Sequence, residues 1–216
     1  MAVYYMLLDA ELFFGRLSPA LAASWQTRSF DPCRALCAEL APAVRAFSER
    51  FHTGPEEPLV YSVPRGLPFD RRFWQLLVGE LLLYGATEIP EIQTAPETLC
   101  SILAPASYRH ELRARARFAP IQQAHFGTRE LLFGARCYRP EHAGYNDVSD
   151  VARLSEYLAA QTPERWTVAD LAELRDVADD EERREELEIA REWYPALRAL
   201  YQRASACRHL IVAEIL

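Results

Sequence analysis

The run HLIVAEIL, residues His209–Leu216, ends the chain, and a similar apolar run, VYYMLL, lies at Val3–Leu8 near its start. Each run is short, continuous and rich in aliphatic or aromatic residues, which is typical of a buried strand. Strands at the two ends of a chain commonly pair beside each other. The two runs therefore predict a small sheet that contains both the N-terminal and the C-terminal strand.

Helical signals dominate the sequence between these strands. Ser18, Asp31 and Asp70 each stand at a position where an N-cap residue starts a helix. The helix that follows Asp70 is predicted to end at Gly85, and Pro195 is predicted to kink or divide a long helix near the C-terminus. The sequence thus predicts an α+β fold, mostly helical, with a small sheet.

We expect one globular domain over residues 1–216, since no low-complexity linker divides the chain. An internal echo is present, because Glu80-Leu81-Leu82 recurs as Glu130-Leu131-Leu132. One interpretation is an old duplication that relates residues 80–104 to residues 130–160. The alternative is chance, since the matching positions are common residue types.

The charge balance excludes several classes of partner. The chain has 31 acidic and 24 basic residues and a net charge of −7. Because nucleic acids and anionic membranes are bound through basic surfaces, neither is an expected partner. Every basic residue is arginine, which excludes a Schiff-base lysine and a P-loop lysine.

The chain is predicted to be cytoplasmic. Its apolar start lacks a positively charged segment, so it is interpreted as a strand and not as a signal peptide. No apolar run approaches the ~20 residues of a membrane span. The five widely spread cysteines indicate reduced thiols.

The C-terminal third carries Trp193-Tyr194 on a long helix and then the strand around Leu210-Ile211-Val212. Earlier, Tyr84-Gly85-Ala86 is followed by Pro90-Glu91. In this layout the chain resembles the YfbM-like family of bacterial proteins. The resemblance implies an α+β fold and no established activity, and it carries over no functional residue.

The stretch from His125 to Glu130 combines an imidazole, a glycine, a hydroxyl, a guanidinium and a carboxylate. One hypothesis makes His125 and Glu130 an acid–base pair, which requires the two side chains to lie within hydrogen-bond reach. The alternative is structural: Thr128 caps a short helix over Arg129–Phe133, with Glu130 in its first turn.

The stretch from Arg65 to Trp74 interleaves arginines with aromatic residues, a composition typical of interaction surfaces and anion sites. Arg65, Arg71, Arg72 and Trp74 are therefore candidate binding residues. In the alternative interpretation, Asp70 caps a helix and Trp74 lies in the core.

No sequence motif indicates a metal or a cofactor, and we expect neither. Cys33 and Cys37 are one helical turn apart, yet they share an apolar stripe with core residues. Two functional classes remain. The first is a non-catalytic binding or interaction module that takes another protein or a small anionic ligand. The second is a small-molecule enzyme that uses His125 and Glu130 beside an arginine anion site.

Overall fold

A computed structural model describes residues 2–40, 68–106, 115–174, 177 and 179–215 of the protein. The fold is α+β, as predicted. The chain forms two compact units: unit 1 comprises Met1–Leu7, Pro90–Glu130 and Arg139–Leu216, and unit 2 comprises Leu8–Ile89 and Leu131–Tyr138. The single domain over residues 1–216 stays a prediction.

The helices of the described ranges are α1 (Ala10–Leu12), α2 (Ser18–Thr27), α3 (residues 31–40), α4 (Arg71–Gly85), α5 (Pro96–Leu103), α6 (Pro120–Phe126), α7 (Val148–Ala159) and α8 (Asp180–Cys207). The strands are β1 (Val3–Asp9), β2 (Ala86–Glu88), β3 (Arg129–Glu130), β4 (Leu132–Phe133), β5 (Arg136–Cys137), β6 (Ala143–Asn146) and β7 (His209–Ile215). No helix in these ranges combines the length and the apolar character needed to cross a lipid bilayer.

The sheet of unit 1 is built around β7. The strand order is β1-β7-β6-β3, and β6 runs antiparallel to both β7 and β3. In this register Tyr145 lies opposite Val212 and Arg129. The neighbouring positions of β1 and β7 confirm the predicted pairing of the two terminal strands.

The core of unit 1 lies where α7 and α8 pack on each other and on β7. Every residue of β7 from Leu210 to Ile215 is buried, so both faces of this strand are covered. Buried aromatic residues such as Tyr194 and Tyr201 extend the core along α8.

The core of unit 2 lies around Trp74 of α4. This side chain has no exposed surface, and its ring lies edge-on to those of Trp25 and Phe133, with centroids 5.0 and 6.1 Å away. The indole Nε1 donates a hydrogen bond to the carbonyl oxygen of Leu21 at 3.2 Å. Trp74 therefore holds α4 against α2 and against β4.

Helix α4 begins and ends as predicted. The Asp70 carboxylate accepts hydrogen bonds from the backbone N–H groups of Arg72 and Phe73, at 2.7 and 3.3 Å. The helix also ends at Gly85, as predicted, and this glycine is its last helical residue. A Cβ at Gly85 would lie 2.6 Å from Cδ1 of Leu17, so close packing is the reason for this glycine.

Replacing Asp70 with alanine is expected to lower the free energy of unfolding by about 1 kcal/mol, because the first turn of α4 loses its side-chain cap. Urea denaturation measures the change. Asp70→Asn is the control, since an amide oxygen also caps helices and should retain most of the stability. Equal losses in the two variants would contradict the assignment of Asp70 as the cap.

Helix α2 does begin at Ser18, but the predicted N-cap role of this residue is wrong. The helical segment begins earlier, at Ala10, and passes through a π-helical stretch, Phe13–Leu17, into α2. Its N-cap is Asp9, whose carboxylate accepts a hydrogen bond from the N–H of Leu12 at 2.8 Å. Ser18 therefore follows helical residues and does not cap the helix.

Three further expectations concern Thr128, Pro195 and the internal echo. Thr128 caps no helix, because Arg129–Glu130 and Leu132–Phe133 are the strands β3 and β4. Pro195 lies inside α8 and does not divide it, since the 28-residue helix continues on both sides. The two triplets of the internal echo have different conformations, one in α4 and the other at β3 and β4.

Candidate functional site

His125 is completely buried in unit 1. It lies at the penultimate position of α6 and has no exposed surface. Its Nδ1 is 2.8 Å from the hydroxyl oxygen of Tyr5, whereas its Nε2 is enclosed without a hydrogen-bond partner in the described part of the chain. Burial lowers the pKa of His125 to about 3, because desolvation disfavours the charged imidazolium. The imidazole is therefore neutral at physiological pH and enclosed within the core.

Glu130 is exposed on β3, where it lies opposite Gly144 of β6. No hydrogen bond joins it to His125, since Nδ1 of that residue is bonded to Tyr5 and Nε2 has no partner among the described residues. The structure does not bring the predicted acid–base pair together. The catalytic role of His125 and Glu130 stays a prediction that this geometry does not support.

The residues between His125 and Glu130 lead from α6 into β3 and contact β6. Gly127 has a φ of +79°, and a Cβ at this position would lie 2.4 Å from the backbone nitrogen of Tyr145. The hydroxyl and the N–H of Thr128 donate hydrogen bonds to Oδ1 of Asn146, at 2.6 and 2.8 Å. Gly127 and Thr128, which belong to the stretch that suggested catalysis, therefore have structural roles here.

Asn146 and Tyr201 form a buried polar link that the sequence analysis missed. Nδ2 of Asn146 lies 2.8 Å from the Tyr201 hydroxyl and 2.9 Å from the carbonyl oxygen of Gln123. The same hydroxyl donates a hydrogen bond to the carbonyl oxygen of Ala124 at 2.7 Å. Neither residue stands in a motif or a candidate site of the sequence analysis.

Arg115 is a second buried polar residue with a structural role. Its guanidinium donates hydrogen bonds to the carbonyl oxygens of Phe126, Gly127 and Ala143. A Cβ at Gly144 would lie 2.4 Å from Nη1 of Arg115, so glycine is required for this approach. Arg115 was not among the residues that the sequence analysis singled out.

The predicted binding residues Arg71, Arg72 and Trp74 occupy different environments. Arg71 and Arg72 are exposed in the first turn of α4, whereas Trp74 is fully buried in the core of unit 2. Trp74 therefore lies where the alternative interpretation placed it. Arg65 lies outside the described residues.

Large exposed apolar side chains are found on unit 2. On α4, Phe73 is 37% exposed and Leu76 is 57% exposed, one helical turn apart. Phe14 and Leu132, 47% and 51% exposed, also belong to this unit. Among the described residues of unit 1, no large apolar side chain is comparably exposed. The outer face of α4, defined by Arg71, Arg72, Phe73 and Leu76, is the candidate binding surface.

Two small surface pockets are lined by described residues of unit 1. The larger, of about 330 Å³, is lined by Pro163, Glu164, Arg191, Tyr194, Pro195 and Arg198. The smaller, of about 200 Å³, lies between the start of α5 and the α8 residues Glu186, Ile189 and Trp193. Neither pocket is lined by His125 or Glu130.

Three of the five cysteines are buried. All five are free thiols. Burial raises the pKa of Cys33 to about 11 and that of Cys37 to about 12, so both thiols are protonated at neutral pH. The described part of the chain contains no group of three or more His, Cys, Asp or Glu residues that could hold a metal ion.

No model of a known protein family matches the chain, and the curated proteins and the solved structures contain no match to it. The resemblance to the YfbM-like family therefore stays a prediction.

Proposed function

We propose that this protein is a non-catalytic binding module that contacts another protein through the outer face of α4. The observation that carries the proposal is the exposure of Phe73 and Leu76 beside Arg71 and Arg72. Aromatic residues and arginine are the residue types that protein interfaces favour, and arginine and aromatic side chains often dominate the binding energy.

The geometry of α4 supports this assignment. Residues three apart on a helix share a face, so Phe73 and Leu76 present one continuous apolar strip. The opposite face of the helix is already buried, since Trp74, Leu77 and Leu81 have at most 1% of their surface exposed. The outer strip is therefore not needed to attach α4 to unit 2, and it remains open to a partner.

The charges of this face indicate the chemistry of the partner. Arg71 and Arg72 are exposed at the start of the strip, in a chain whose net charge is −7. A partner that places carboxylates beside an apolar patch would gain both apolar burial and charge-assisted hydrogen bonds. We therefore expect an acidic, partly apolar protein surface.

The enzyme hypothesis has weaker support. It requires a titratable acid–base pair that a substrate can reach, and His125 is enclosed in the core with a pKa of about 3. Glu130 is exposed and not hydrogen-bonded to His125. The binding module makes use of the exposed side chains of α4 and needs no such pair.

The test compares the proteins captured from source cells by the wild-type chain and by a variant of the outer face. We expect Arg72→Glu/Leu76→Ser to reduce the recovery of at least one cross-linked protein roughly tenfold, because central interface residues contribute most of the binding energy. Quantitative mass spectrometry measures recovery. The variant should fold normally, since surface substitutions usually change stability by less than about 0.5 kcal/mol.

Arg117→Glu is the matched control. Arg117 is exposed in unit 1, so its reversal changes the net charge as Arg72→Glu does without altering α4. A protein that is lost with the α4 variant and retained with the control supports the proposal. Identical captured sets for the wild type and the α4 variant would refute it.

A further inference from the structure

Two arginines of unit 2 lie against the same indole ring. Cζ of Arg28 is 4.3 Å from the centroid of Trp25, and Cζ of Arg136 is 5.1 Å from it. The Arg28 guanidinium also lies 5.3 Å from the ring of Phe69, which is itself 5.6 Å from the Trp25 ring. These four side chains, Trp25, Arg28, Phe69 and Arg136, are called the Trp25 cluster.

The local backbone explains how residues distant in sequence meet here. Arg28 follows the last residue of α2 and adopts a left-handed conformation with φ of 53°, which ends the helix. Arg136 lies on β5, after a turn in which Gly134 has φ of 62°. Phe69 precedes the Asp70 cap of α4, and its ring stacks on that of Phe30 at 5.2 Å.

Among the described residues, no carboxylate pairs with either guanidinium of the cluster. Elsewhere arginines pair with carboxylates, as in Arg16–Glu39, Arg34–Asp31, Arg129–Asp150, Arg139–Glu214 and Arg183–Asp180. Arg28 and Arg136 have no ion pair or hydrogen bond within the ranges that the structure covers. Nε of Arg136 is enclosed without a partner, whereas its Nη atoms are not enclosed.

The carboxylates of Asp31 and Asp70, which lie close in sequence to Arg28 and Phe69, already have hydrogen-bond or ion-pair partners. Asp31 pairs with Arg34 at 2.9 Å. Asp70 accepts the backbone N–H groups that start α4. Two guanidinium groups therefore contact the same indole ring in a chain that is acidic overall. An anion from solution would balance their positive charge.

The geometry also determines how such an anion is held. An arginine stacked on an aromatic ring uses the face of its guanidinium, which leaves the N–H groups at its edge free for bidentate bonds to oxygen atoms. Both guanidiniums contact Trp25, and their N–H groups are the donors that an oxyanion would engage. Two forks and two positive charges match a dianionic oxyanion better than a single carboxylate.

We infer that Arg28 and Arg136, held against Trp25 and Phe69, form a binding site for the phosphoryl group of a small molecule. The site contains neither Phe73 nor Leu76, so it is independent of the proposed protein-binding face. It assigns a ligand class to Arg28 and Arg136, which lie outside the Arg65–Trp74 stretch of the sequence analysis.

Isothermal titration at constant ionic strength tests the inference with three probes: inorganic phosphate, phenyl phosphate and acetate. We expect both phosphates to bind the wild-type protein with a stoichiometry near one and about tenfold or more tighter than acetate, since they engage a second guanidinium. The comparison of the two phosphates shows whether the organic part of the ligand contributes.

Arg28→Ala and Arg136→Ala should each weaken phosphate binding about tenfold or more, because each removes a charge-assisted pair. Arg28→Lys and Arg136→Lys should weaken it less, since the charge remains and only the fork is lost. Near-UV circular dichroism verifies the fold of each variant. If an Ala variant loses the native circular dichroism spectrum, the phosphate affinity of the Lys variants decides the test.

Arg117→Ala/Arg165→Ala is the matched control, because it removes two exposed arginines of unit 1. Retained phosphate binding in this control and in Leu76→Ser supports a specific site at the Trp25 cluster. The inference is overturned if neither phosphate binds saturably, if acetate binds equally well, or if the control loses as much affinity as the cluster variants.

Discussion

Replacing Trp74 with alanine should lower the free energy of unfolding by about 3–5 kcal/mol, the usual cost of removing a large buried aromatic side chain. The indole has no exposed surface and fills the space beside Trp25 and Phe133. Its loss leaves a cavity between α4 and its neighbours and removes the hydrogen bond from the indole to the carbonyl oxygen of Leu21. Urea denaturation measures the change.

Trp74→Phe is the control for this experiment. A phenyl ring keeps most of the buried apolar surface but cannot donate to Leu21, so the expected loss is smaller than for alanine, about 1–2 kcal/mol. Arg72→Ala, two residues away and exposed, should change stability by less than about 0.5 kcal/mol. A loss below about 1 kcal/mol in Trp74→Ala would contradict the core assignment and would return Trp74 to the candidate binding residues.

The sequence predicted the parts of the fold that depend on local patterns. The two terminal strands were recognised because their residues are apolar and continuous over a length that suits a strand and not a helix. Asp70 was recognised because an N-cap acts on N–H groups two and three residues ahead, within the same short stretch. Signals that act over only a few residues can be recognised without knowledge of the tertiary fold.

The wrong predictions arose where a common local signal competed with a partner elsewhere. Ser18 followed by proline is an ordinary helix start, but Asp9 caps a helix that already includes that region. Thr128 before an acidic residue is another such start, yet its hydroxyl bonds Asn146 and the next residues pair with β6. Strand pairing therefore overrode the local helical preference.

The candidate sites could not be found from the sequence, because their residues are brought together by the fold. Arg28 and Arg136 meet at Trp25 only after the β4–β5 hairpin has packed on α2. Tyr5 and His125 are 120 positions apart and become neighbours through the sheet. The sequence did identify a stretch of arginines and aromatic residues near Asp70. It named Trp74 as a binding candidate, although the apolar spacing of Trp74 already indicated a core position.

The second large effect is a loss of stability in acid that depends on His125. Its pKa is about 3 in the folded protein and 6.5 for the unperturbed side chain, so the unfolded chain binds a proton more readily. This contribution to stability is complete above pH 6.5 and is lost as the pH falls toward 3. At one pKa unit per 1.36 kcal/mol, the loss reaches about 2 kcal/mol at pH 5.

The measurement is urea denaturation of the wild type and of His125→Gln at pH 7 and at pH 5. Glutamine cannot titrate and can still hydrogen-bond the Tyr5 hydroxyl, so the variant should lose about 2 kcal/mol less than the wild type over this interval. The other titrating groups are the same in both proteins and cancel in the comparison.

Tyr5→Phe separates burial from hydrogen bonding at His125. This variant removes the 2.8 Å contact but leaves the imidazole enclosed, so it should be less stable at pH 7 by about 1 kcal/mol and retain the wild-type acid sensitivity. Burial is the cause of the lowered pKa, and the slope with pH should follow it. The alternative outcome is that His125→Gln and the wild type lose the same stability between pH 7 and pH 5. His125 would then be accessible to protons in the native state. That result would support the acid–base hypothesis, which requires an exposed imidazole.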